Sequence, residues 1–60
     1  MSGWKTVRAH SLGKGDIVTL DEVTEAVASV NTDDKGKLVV WREGTRPVTV
    51  HPDDQVEVYR

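Results

Sequence analysis

Residues 48–59 hold the pattern that most constrains the fold of this chain. Val48 and Val50 alternate with Thr49 and His51, and Val56 and Val58 alternate with Glu57 and Tyr59. A period of two places one set of side chains on one face of a strand, so the four valines predict two strands sharing a buried face. Val, Thr and Ile supply 18 of the 60 residues. Their branched Cβ atoms suit a pleated sheet better than a helix. The best helical window is residues 21–30, where Asp21 is placed to cap and Glu22 and Glu25 fall in the first turn. Three valines and a threonine interrupt it and its alanines lack helical spacing, so a strand is preferred there and a helix is the alternative.

Turn signals divide the chain. Residues 13–16 form a glycine-flanked turn, residues 33–36 a hairpin tip with Gly36 able to take positive φ, residues 43–45 a tighter tip, and residues 51–54 a single turn led by Pro52. The expected strands are 15–20, 23–31, 37–43, 47–50 and 55–59, with a further extended piece at 4–9. Val27 and Val30 are three apart and reach the same face only if the strand carries a bulge near Ala28 and Ser29. Val27, Val30, Val48, Val50, Val56 and Val58 are therefore expected to line one bent sheet.

This organisation reads as a small all-β barrel of about five bent antiparallel strands, with one helical turn before the last. Three motifs carry a family resemblance. Leu12-Gly13-Lys14-Gly15-Asp16-Ile17-Val18 resembles the L-x-x-G-D-x-V opening of SH3-like, KOW-like and Tudor-like barrels. Val39-Val40-Trp41-Arg42-Glu43-Gly44 is similar to their V-x-W-x-x-G strand and turn, and residues 50–58 are similar to their proline-acid turn and closing strand. The chain also resembles short proteins of actinobacteria and their phages and plasmids. The resemblance implies an SH3-like barrel over residues 12–60 preceded by an extended segment at 1–11. It also implies that Val39 and Trp41 face inward. Such barrels bind proteins or nucleic acids, so the likeness implies a fold and not one activity.

The chemistry-bearing residues are sparse. Without cysteine the chain has no disulfide, thiolate metal site or cysteine nucleophile. His10 and His51 lie far from metal-ligand spacing, neither Ser11 nor Ser29 sits in a nucleophile motif, and residues 13–15 are too short for a phosphate loop. A chain of this size has little room for a pocket of several hundred cubic ångströms, so no enzyme, no cofactor and no small-molecule substrate are expected. No apolar run approaches the ~20 residues of a membrane span and no signal peptide is visible, which fits a soluble cytoplasmic protein.

Charge is blocked rather than uniform. Residues 1–20 are net basic, 21–34 acidic, 35–46 basic and 47–60 acidic, summing to −2. Leu38-Val39-Val40-Trp41 is apolar on both sides, more than one thin core hides, so the outward half is expected to meet a partner. The first expectation is therefore a non-catalytic module that binds a protein or itself through Leu38, Val40, Arg42, Tyr59 and Trp4. The alternative is a nucleic-acid-binding accessory module using Lys37, Arg42 and Arg46 with Trp41 as a stacking ring. The acidic balance favours the first, because phosphate binding rests on a basic surface.

Overall fold

A computed structural model describes residues 3–60. The chain forms six strands: β1 (Trp4–Arg8), β2 (Ile17–Leu20), β3 (Val23–Thr32), β4 (Leu38–Arg42), β5 (Val48–Val50) and β6 (Gln55–Tyr59). They make one antiparallel sheet in the order β1-β6-β2-β3-β4-β5, so β1 and β5 are its terminal strands. The window at residues 21–30 holds no helix: residues 23–30 are strand, as their β-branched content favours, and residues 21–22 form the turn before it. The helical turn sits at Ala9–Ser11, between β1 and β2, and not before β6. Residues 51–54 instead form a tight turn, in which Asp54 N donates to His51 O and the Asp54 carboxylate accepts from His51 N, both at 3.0 Å.

The extended piece expected at residues 4–9 is a strand of the sheet over Trp4–Arg8, and residues 1–2 of the expected amino-terminal segment lie outside the described residues. β1 pairs with β6 along its length, with Trp4 opposite Tyr59 and Arg8 opposite Gln55. Gly3 and Arg60 extend the ladder through two reciprocal backbone hydrogen bonds, at 2.7 and 3.0 Å.

β3 is the longest strand and organises the rest. Its first half pairs with β2 and its second half with β4. Val27 lies opposite Arg42 and Ser29 opposite Trp41, so Ala28 is the extra residue of a bulge. The bulge brings both Val27 and Val30 to the core side and bends the sheet over itself. The core contains Ala9, Leu12, Val18, Leu20, Val27, Leu38, Val40, Val56 and Val58, with Val7, Val30, Val48 and Val50 packed against it. All six valines expected to line the bent sheet are in this set. Its fully buried larger members are Val18, Val40 and Val58, a core of short branched side chains that matches the absence of phenylalanine.

Each turn has an identifiable cause. Asp33 accepts hydrogen bonds from the backbone N of Lys35 and Lys37 at 2.9 and 2.8 Å, and Gly36 completes the tip at φ 80°. At the β2–β3 tip, Asp21 and Glu22 both adopt positive φ, 53° and 65°. A two-residue type I′ hairpin requires this pair of conformations, which glycine and asparagine reach more easily than glutamate does.

Candidate functional site: an apolar row on the outer sheet face

The face of β6 away from the core carries Tyr59, because Val56 and Val58 point inward. Strand register then assembles a row. Tyr59 lies between Trp4 of β1 and Ile17 of β2, and Ile17 faces Ala26 of β3. With strands ~4.8 Å apart, this row crosses roughly 14 Å of the outer face. Trp4, Tyr59 and Ile17 are 52%, 42% and 40% exposed. The Trp4 and Tyr59 rings meet edge to face with centroids 5.5 Å apart, the geometry their quadrupoles favour. Trp4 therefore lies on the sheet surface.

The next outer row is polar: Thr6 opposite Glu57, Glu57 opposite Thr19, Thr19 opposite Thr24. The hydroxyl oxygens of Thr19 and Thr24 are 2.8 Å apart. Beyond the other end of the apolar row, Arg60 Nη2 donates to Asp16 Oδ2 at 2.9 Å and to Ser11 O at 3.0 Å. Gly13 N donates to the same Asp16 oxygen at 3.0 Å. These contacts, led by the Arg60 hydrogen bond, hold the Asp16 carboxyl below the usual aspartate range. The Gly-Asp of the opening motif thus ties the 13–16 turn to the end of β6.

β4 runs in the opposite phase to the one the V-x-W likeness implied. Leu38 and Val40 are buried and Trp41 is 45% exposed. Register explains it: Val40 lies opposite Val30 and Val48, both packed on the core, and Arg42 lies opposite Val27. Even-numbered residues of β4 must face inward once the bulge has set β3. A core built of valines offers no space for an indole. Leu38, Val40 and Arg42 are thus core-facing and do not belong to an exposed partner surface; only Trp4 and Tyr59 of that set are exposed. Trp41 and Val39 take the outer face.

Arg42 is 4% exposed. Its Nη1 donates to the Val23 carbonyl, and its Nε is buried without a partner. Arg42 therefore drops out of a solvent-facing basic patch, which leaves exposed Lys37, Arg46 and Trp41. Ile17 is the residue that sequence reasoning missed. Its alternation with Val18 places it outward, but only the β2–β6 register shows that it extends the Trp4–Tyr59 pair.

Among the described residues no group of three His, Asp or Glu side chains is placed to hold a metal ion. Among the same residues no pocket is found, and no helix is long and apolar enough to cross a membrane. Comparison with known proteins gave no match to a family model, a curated protein or a solved structure.

Proposed function

We propose that this chain is a non-catalytic binding module of the SH3-like small-barrel type that docks a protein partner on the outer face of its sheet. The observation that carries this reading is the register-aligned row of Trp4, Tyr59 and Ile17, three large apolar side chains exposed side by side on adjacent strands. Tyrosine and tryptophan bring large contact area at small entropic cost, which is why they anchor interfaces. The polar row through Thr6, Glu57, Thr19 and Thr24 supplies a rim. Barrel likeness rests on the bent sheet, the bulged central strand and the three sequence motifs.

The test is a pull-down from nuclease-treated lysate with the native chain, with Ile17→Thr/Tyr59→Ser, and with Lys37→Glu/Arg46→Glu. A discrete protein retained by the native chain and lost only with the first variant supports the reading. Equal recovery with both variants rejects it.

The exposure of Trp41 keeps nucleic-acid binding as the second reading, with Lys37 and Arg46 beside it in sequence. Titration of Trp41 fluorescence in a Trp4→Phe variant with single-stranded DNA and RNA at two salt concentrations decides it, because phosphate contacts weaken steeply with salt.

A further inference from the structure

The outer edge of β1 is the feature that this reading leaves unused. β1 is the terminal strand of the sheet. One side of its backbone pairs with β6 from Trp4 to Arg8, and among the described residues no strand lies on the opposite side. An unpaired edge of five residues is a template for an added strand. β5, at the other edge, has only three residues and follows Pro47 directly, so it offers a shorter ladder.

The charge at this edge specifies its occupant. The first fifteen residues contain no acid, whereas Lys5 and Arg8 lie on β1 and both are exposed. Pairing β1 with β1 of a second copy does not complement this charge, because it gathers four cations at one edge with no carboxylate among them. Nor does β5 complement it, since residues 46–51 also hold a cation, Arg46, and no acid. Like charges opposed across strands destabilise the pairing.

We infer that the free edge of β1 takes an extended acidic segment of another protein as an added antiparallel strand. This inference rests on the protein-docking reading above and names the partner's chemistry. Side chains alternate along β1, with Trp4, Thr6 and Arg8 toward the outer face and Lys5 and Val7 toward the other. An antiparallel segment therefore matches best when it reads acid, apolar, any residue, acid, apolar, from the position opposite Arg8 to the position opposite Trp4. Its last apolar side chain rests beside Trp4 and lengthens the Trp4–Tyr59–Ile17 row by one strand.

The experiment is an amide-resolved NMR titration of the full chain. The probe is a capped nonapeptide centred on Glu-Val-Thr-Glu-Leu, with a composition-matched scramble and a version carrying Lys for each Glu as controls. The expected result is shift changes at residues 3–9 and slowed exchange of the β1 amides that do not face β6, with binding to neither control. Lys5→Glu/Arg8→Glu, at two exposed positions whose folding the same spectra verify, should weaken the Glu peptide by about tenfold or more and bind the Lys peptide instead. No response to the Glu peptide overturns the inference and leaves Lys5 and Arg8 as guards against strand addition. Response confined to Ile17 and Tyr59, unaffected by the charge reversal, also overturns it while supporting the outer-face reading. Binding that survives Ile17→Thr/Tyr59→Ser but not the charge reversal sustains the edge site and rejects the outer-face row.

Discussion

Arg60 Nη2 lies 2.9 Å from Asp16 Oδ2, joining residues 44 apart in sequence. The pair links the end of β6 to the turn that launches β2. Asp16 is the more informative partner, because the same carboxylate oxygen also receives the Gly13 amide.

The carboxyl of Asp16 is held below the usual aspartate range by Arg60. The unfolded chain therefore takes up the proton more readily than the folded one. The stabilisation is complete above the ordinary aspartate value, ~3.9, and is lost as pH falls through the lower folded value. Urea unfolding followed from pH ~6 down to ~2 should show a steeper acid decline for the native chain than for Asp16→Asn. Identical slopes would refute the linkage.

The phase of β4 predicts opposite results at neighbouring valines. Val40→Ala removes two methyl groups from a fully buried site and should cost about 2 kcal/mol. Val39→Thr, on the outer face, should change stability by less than about 0.5 kcal/mol. Chemical denaturation of both variants checks the assignment, and a reversed order would restore the V-x-W phase.

Arg42 places a guanidinium in the interior with its Nε unpartnered. Replacing a buried charge with an apolar side chain of similar length is often neutral or stabilising. Arg42→Met should match or exceed native stability, whereas Arg42→Ala should lose about 2 kcal/mol through the space left behind. A loss of more than about 2 kcal/mol in Arg42→Met would show that the hydrogen bond to the Val23 carbonyl outweighs the burial of the charge.

The β2–β3 tip holds two non-glycine residues in the left-handed region. Asp21→Asn/Glu22→Gly supplies the residues that a type I′ turn prefers and should raise stability by about 1 kcal/mol. A thermal melt reads the gain directly. No change would mean that the added freedom of the unfolded chain offsets the relieved strain.

The β-rich class, the strand positions and the inward valines were legible because period-two patterning is local. The bulge could also be anticipated, since Val27 and Val30 cannot share a face without one. The phase of β4 was hidden because Leu38-Val39-Val40-Trp41 is apolar on both faces, so local pattern carries no sign. It is fixed by Val30 and Val48 across the sheet. The candidate site was half legible for a related reason. Trp4 and Tyr59 stand out as rare rings, but their contact and the addition of Ile17 depend on pairing between β1, β6 and β2, which no local window contains. The helical turn was misplaced because Pro52 with two following acids fits both a helix start and a capped turn, and the Asp54 carboxylate selects the turn.

Ala28 supplies shape and no burial. Without it, Val27, Ser29 and Val30 would alternate as an uninterrupted strand with both valines still inward, so removing this one exposed residue would improve the regularity of the sequence pattern. The expected casualty is curvature: a straightened β3 would carry β4 and β5 away from β2 and β6, leaving a flatter sheet whose valines face water. For a chain of 60 residues, the difference between a sheet that shelters its valines and a flat, sticky ribbon would rest on a residue that hydrophobic patterning would discard.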